Sequence, residues 1–94
     1  MGSIMEELLI LCLAKGLKIT AAESCTGGMV AAALTDLAGS SAIFERGFVT
    51  YSNQAKIEML GVSAETLDQF GAVSEQVVLE MAQGAKNQAK ADIA

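Results

Sequence analysis

The stretch that most restricts the fold is ITAAESCTGGMVAAAL, residues 19–34, because its hydrophobic periodicity changes halfway along. Just before the change, LKITAA at residues 17–22 alternates apolar and polar side chains, as a short strand does. After the change, Val30, Leu34 and Leu37 fall on one face of a helix. We expect that helix to begin near Thr26 and to end before Gly39. A strand that runs through a tight turn into a helix is typical of α/β folds.

Helical and strand-like segments alternate along the rest of the chain. Apolar residues recur at helical spacing from Ile4 to Leu11, and Gly16 should end that helix. Residues 42–52, AIFERGFVTYS, predict a longer strand, in which Gly47 indicates a bulge or a close backbone approach. Three more helices are predicted, with N-caps at Ser52 or Asn53, at Ser63 and at Ser74.

This alternation predicts an α/β fold, and a length of 94 residues suits a single domain over residues 1–94. Two strands, however, are too few to cover so many amphipathic helices, and a new apolar run begins in residues 90–94, KADIA. We therefore expect the chain to be the front part of a larger domain, incomplete at its C-terminal end. We also expect residues 1–3 to be additions to the natural sequence.

Charge and composition exclude several classes of function. The net charge is −5, and the six basic residues form no stripe, which argues against a nucleic-acid partner. No histidine is present, which removes histidine-based triads and the usual zinc sites. Two widely spaced cysteines, Cys12 and Cys25, suit a reducing compartment, so we expect a cytoplasmic protein. The apolar run at residues 8–14 is too short to cross a membrane.

The turn ESCTGG, residues 23–28, has two interpretations. A helix start leaves backbone N–H groups free, and the glycines would let an anion or an oxyanion approach them. Alternatively, Ser24 or Thr26 is an ordinary N-cap and the glycines serve close packing. Cys25 at a helix start could be a reactive thiol, but the chain has no histidine to activate it.

A second cluster combines Ser40 and Ser41 with Tyr51 and Lys56. A lysine in the first turn of a helix is unfavourably placed, and partial burial adds to this, so the neutral amine that acts as a general base is favoured. A serine beside such a lysine could act as a nucleophile without histidine. The alternative is a surface lysine paired with Glu58 or Glu45. Spacing alone leaves both interpretations open.

Five blocks occur in order along the chain: AESCTGG, AGSS, FxxGxVxYSN, KxxxLGV and GAVS. Together they closely resemble the CinA C-terminal domain family, over nearly the whole chain from about Lys18 onward. The resemblance implies a three-layer α/β/α fold around a mixed sheet. It also implies hydrolysis of the carboxamide of nicotinamide mononucleotide (NMN) to nicotinate mononucleotide and ammonia, in pyridine-nucleotide recycling. It implies no metal and no organic cofactor. Members of the family continue with a strand and an SGIAGP-type segment beyond the equivalent of Ala94.

The resemblance also suggests roles for individual residues. Ser41 is the expected nucleophile, Lys56 its general base, and Tyr51 a group that tunes Lys56 or relays a proton to the leaving ammonia. Ser24 is the rival nucleophile, because it lies at a sharp strand-to-helix turn, and Ser40 is a weaker rival. The nucleotide phosphate or the oxyanion is expected to bind among Ser24, Thr26, Gly27, Gly28 and Ser40.

Other hypotheses remain open at this stage. The domain could be a non-catalytic binding or assembly module, since CinA-type domains are often attached to a second domain. The N-terminal residues do not resemble a linker, which favours a stand-alone protein. Redox sensing through Cys25 is a third hypothesis. The expected partners are the NMN substrate and further copies of the chain, with no nucleic acid and no membrane.

Overall fold

The computed structural model describes residues 2–94, with side chains from Ile4 onward. The prediction that residues 1–3 are additions to the natural sequence concerns Met1 and side chains that lie outside the described residues. The elements in chain order are α1 (Gly2–Lys15), β1 (Ile19–Glu23), α2 (Met29–Thr35), a 3-10 turn (Ser40–Ala42), β2 (Phe44–Val49), α3 (Asn53–Leu60), α4 (Ala64–Phe70) and α5 (Glu75–Ala89).

The two strands lie side by side and parallel, with Ile19 opposite Phe44 and Glu23 opposite Val49. An isolated parallel bridge adds Ile93 on the other side of Ile19. Parallel strands require a crossover connection, which α2 supplies. The α/β prediction is confirmed. Because the strands are parallel, the residues that follow both of them meet at the carboxyl edge of the sheet. Ligand sites in open α/β sheets lie at this edge.

Two groups of buried apolar side chains hold the elements together. One joins α5, α3 and α4 to β2 and is centred on Val77, Met81 and Ala85 of α5. The other joins α1, α2 and β1 through Cys12, Leu34 and Ile19. No helix in residues 2–94 is long and apolar enough to span a bilayer.

Most element boundaries follow the sequence signals. Ser52, Ser63 and Ser74 cap α3, α4 and α5 through their hydroxyls, so the prediction of Ser52 rather than Asn53 is the correct one of the two. Gly16 adopts a positive φ just after α1. At Gly47 an added Cβ would lie 3.3 Å from the Cβ of Ala31, which confirms a close approach.

The prediction for α2 was wrong at its start but is confirmed at its end. The helix begins at Met29 instead of near Thr26, and it ends at Thr35, before Gly39. Gly27 and Gly28 have φ values of 60° and 115°, which keep residues 24–28 in a turn. The cap is neither Ser24 nor Thr26. Gly28 is the N-cap residue, and it makes no side-chain cap bond.

Candidate active site

The buried amine of Lys56 marks the candidate site. Lys56 lies in the first turn of α3, and only 2% of its surface is exposed. Its Nζ donates to the hydroxyl of Ser24 at 3.1 Å and to the backbone carbonyl of Tyr51 at 3.2 Å. The interpretation of Lys56 as a surface lysine paired with Glu58 or Glu45 is therefore wrong. Within residues 4–94, no carboxylate oxygen lies within 4.0 Å of this amine.

Ser24 completes this contact from the neighbouring strand. It follows β1 directly, just as Tyr51 closely follows β2, so both lie at the carboxyl edge of the sheet. The Ser24 hydroxyl donates to the Tyr51 carbonyl at 3.4 Å and accepts from Lys56. A hydroxyl within hydrogen-bond distance of a buried amine is the arrangement that a serine nucleophile and its base require.

The proposed pairing of Ser41 with Lys56 does not form within the chain. Ser41 lies in the 3-10 turn before β2, at the amino edge of the sheet, where Ile43 binds Ile19. Lys56 lies beyond the opposite edge, and each residue of a strand adds about 3.3 Å to the separation. Ser40 shares this location, and its hydroxyl donates to the carbonyl of Thr35 at 3.4 Å. The single chain thus pairs Lys56 with the rival, Ser24.

Tyr51 contributes its main chain to the site. Its carbonyl oxygen accepts from both Lys56 and Ser24, whereas its side chain is 72% exposed. The backbone of Tyr51 therefore contacts the amine, and the role of the Tyr51 side chain in tuning Lys56 or relaying a proton stays a prediction.

The turn at residues 24–28 is organised by Glu23, whose role the sequence analysis missed. The Glu23 carboxylate is 3% exposed and accepts four hydrogen bonds. They come from Thr26 Oγ1 (2.7 Å) and from the backbone N–H groups of Gly28 (3.1 Å), Val30 (2.9 Å) and Ala31 (2.9 Å). Burial raises the pKa of this carboxyl, but the hydrogen bonds outweigh burial and bring the pKa below its usual value. An acidic residue before a helix start was the available signal.

Most of the donors that we predicted to bind the phosphate or the oxyanion are already used within the chain. The hydroxyl of Thr26 and the N–H of Gly28 donate to Glu23, and the N–H of Gly27 donates to the carbonyl of Ser24. In the part of the chain that the structure describes, the N–H groups of Ser24, Cys25 and Thr26 have no acceptor. Those of Cys25 and Thr26 follow the Ser24 hydroxyl along the chain.

A cavity of about 510 Å³ opens beside Ser24. One wall is the turn after β1, and the other is the segment that leads into α5. Most of the lining is apolar. It also includes hydroxyl groups and a second carboxylate besides that of Glu23, which belongs to Glu75. The lining residues are Ala22, Glu23, Ser24, Cys25, Thr26, Ala72, Val73, Ser74, Glu75, Val78 and Met81.

Comparison with known proteins identifies the family of this chain. A sequence model described as the CinA C-terminal domain matches residues 2–94. The chain belongs to the CinA C-terminal domain family. It is 68% identical over 81 residues to the nicotinamide-nucleotide amidohydrolase PncC of Enterobacter agglomerans, which covers 86% of this chain and 49% of that protein. The chain therefore spans about half the length of the PncC proteins that it matches.

Other members of the CinA family carry different descriptions. A putative competence-damage inducible protein of Caldicellulosiruptor saccharolyticus is 53% identical over 91 residues, covering 96% of this chain and 22% of that one. Among solved structures, the competence/damage inducible protein CihA of Agrobacterium tumefaciens superposes with a TM-score of 0.93 at 51% identity, covering 96% of this chain and 55% of that one. The family predicted from the motifs is confirmed, and amidohydrolases are among its members.

Proposed function

We propose that the protein containing this chain hydrolyses the carboxamide of NMN to a carboxylate and ammonia, with Ser24 as nucleophile and Lys56 as its general base. The observation that carries the proposal is the 3.1 Å contact between the Ser24 hydroxyl and the buried Lys56 amine. High identity to PncC amidohydrolases supports the choice of substrate.

The contact between Ser24 and Lys56 supports the following steps of an amide hydrolysis. Ser24 Oγ attacks the carboxamide carbon while the Lys56 amine, acting as the base, accepts the hydroxyl proton. The tetrahedral intermediate then collapses: the C–N bond breaks, ammonia leaves with the proton from Lys56, and an ester to Ser24 remains. Attack by water, again deprotonated by Lys56, gives the carboxylate and frees Ser24.

The negative oxygen of each tetrahedral intermediate needs donors. We assign this role to the N–H groups of Cys25 and Thr26, because they are unpaired and adjoin the nucleophile. The backbone N–H of the residue that follows a serine nucleophile has the same role in other hydrolases. The cavity beside Ser24 offers apolar walls for the pyridine ring.

The test measures ammonia release from NMN by the longest native protein that contains this chain. Ser24→Ala and Lys56→Met should each lower kcat/KM by about a thousandfold or more, because nucleophile and base act as a unit. Ser41→Ala tests the competing assignment and should retain most of the activity. Loss of turnover in Ser41→Ala together with its retention in Ser24→Ala would reject the proposed pair. An increase in Tm with NMN but without ammonia release would favour a non-catalytic binding module.

A further inference from the structure

We propose that Glu23 is a positioning residue, whose buried carboxylate fixes the turn that presents Ser24 to Lys56. The inference rests on the proposed function for its kinetic consequence. Its structural basis is independent of that function, because it lies in the contacts of the Glu23 side chain and main chain.

Residue 23 is held on two sides. Its carbonyl accepts from the N–H of Thr50 at 2.9 Å, which ties the end of β1 to the end of β2. Its carboxylate binds forward to the start of α2, at the N–H groups of Val30 and Ala31. Ser24 is the next residue along the chain, so its backbone begins from a point that is fixed to both neighbouring elements.

The carboxylate also closes the start of α2 to other anions. One oxygen, Oε1, accepts from Thr26, Gly28 and Val30, and the other, Oε2, accepts from Ala31. Both oxygens must accept for all four donors to be paired, and a buried N–H group left without a partner is costly. The turn therefore keeps its shape without substrate, which is what a preorganised nucleophile needs.

This arrangement makes a specific demand on residue 23. A glutamine keeps the volume, but its NH2 group cannot accept the hydrogen bonds that one carboxylate oxygen accepts. Aspartate keeps the charge but is one methylene shorter than the span to Val30 and Ala31 requires. If residue 23 served only to fill space, glutamine would replace it without loss.

The kinetic test compares Glu23→Gln with Glu80→Gln in ammonia release from NMN. Glu80 is the matched control, because it also accepts from a backbone N–H, that of Ser63, and from a hydroxyl, that of Thr66, away from the candidate site. Glu23→Gln should lower kcat by about a hundredfold with KM nearly unchanged, as a small misplacement of a reacting group does. Glu80→Gln should keep wild-type kcat. Wild-type kcat in Glu23→Gln, or an equal loss in both variants, would overturn the proposal.

A second measurement separates this inference from the proposed function. Amide hydrogen exchange of Val30 and Ala31, read by NMR, should become at least about tenfold faster in Glu23→Gln at whichever of the two faces the NH2 group, the factor expected for one lost hydrogen bond of about 1.4 kcal/mol. The side-chain resonances of Lys56 should shift with it, because its Ser24 partner moves. If the wild-type protein released no ammonia, the proposed function would fail, while these signals would still decide the role of Glu23. Unchanged exchange and unchanged Lys56 resonances would reject the role.

Discussion

Gly84 in α5 is a single residue on which the packing of two helices depends. A Cβ added at Gly84 would lie 1.9 Å from the carbonyl oxygen of Leu60, the last residue of α3. The atom in the way belongs to the backbone, so it cannot rotate aside as the end of a side chain would. The close packing of α5 on α3 therefore requires a residue without a side chain at position 84.

We predict that Gly84→Ala lowers the free energy of unfolding by at least about 1–3 kcal/mol, the cost of overpacking, despite the higher helix propensity of alanine. Urea denaturation measures the change. Gln88→Ala, at an exposed position of the same helix, is the control and should shift the free energy by less than about 0.5 kcal/mol. Equal stability of Gly84→Ala and the wild type would contradict the packing described here.

Glu23 predicts a pH dependence of stability. Its pKa in the folded chain lies below the ordinary value of 4.5, because the hydrogen bonds to the carboxylate outweigh burial. The folded state thus binds this proton less readily than the unfolded state does. The contribution to stability is present above pH 4.5 and is lost as pH falls through the lower, folded-state pKa.

The expected result is that wild type exceeds Glu23→Gln in free energy of unfolding near neutral pH, and that the gap narrows steadily below pH 4.5. Denaturation curves collected across this range measure the gap. A constant difference at all pH values would show that the charge of Glu23 has no part in the stabilisation.

At the scale of elements, local signals defined the helices with serine caps, whereas α2 depended on a contact that local patterns do not reveal. Ser52, Ser63 and Ser74 each bind an N–H two or three residues ahead, a spacing visible in the sequence. The start of α2 is bound instead by Glu23, which reaches up to eight residues along the chain. Such a contact follows from the shape of the glycine turn, which the sequence alone does not specify.

The capped start of α3 gives a prediction at this scale. Ser52 Oγ accepts from the N–H of Ala55 at 3.0 Å, and the helix that it starts carries Lys56. Ser52→Ala should lower the free energy of unfolding by about 1 kcal/mol, and Ser52→Asp should restore most of it, since aspartate is an equally good cap. Urea denaturation of the three proteins checks this, and a loss in the aspartate variant as large as that in alanine would contradict the role of a cap.

At the scale of the whole molecule, topology decides which predicted site residues meet. The sequence predicted an α/β fold, Lys56 as a base and Ser41 as the nucleophile, ahead of the rivals Ser24 and Ser40. The parallel pairing of β1 with β2 instead places Ser24 near Lys56 and Ser41 at the other edge of the sheet. Strand direction and register depend on contacts between distant segments, so motif spacing does not predict them.

Residues 92 and 93 bind the start of β1 and the residue before it, which gives a further prediction. The carboxylate of Asp92 accepts from the N–H of Lys18 at 2.8 Å, and the N–H of Thr20 donates to the carbonyl of Ile93 at 2.9 Å. In Asp92→Ala, exchange of the Thr20 amide should become about fivefold faster, corresponding to about 1 kcal/mol for one lost hydrogen bond. The Phe48 amide in β2 is the internal reference. Unchanged exchange at Thr20 would show that Asp92 does not hold this pairing.

The position of Cys25 offers a practical route into the cavity. Its thiol is exposed on the cavity wall beside Ser24, whereas the other cysteine, Cys12, is buried. A library of small disulfides would therefore exchange selectively at Cys25 in the folded chain. Each captured fragment would be tethered within a few bonds of the proposed nucleophile, so the fragments retained under mild reduction would map the shape of the site and provide starting points for inhibitors.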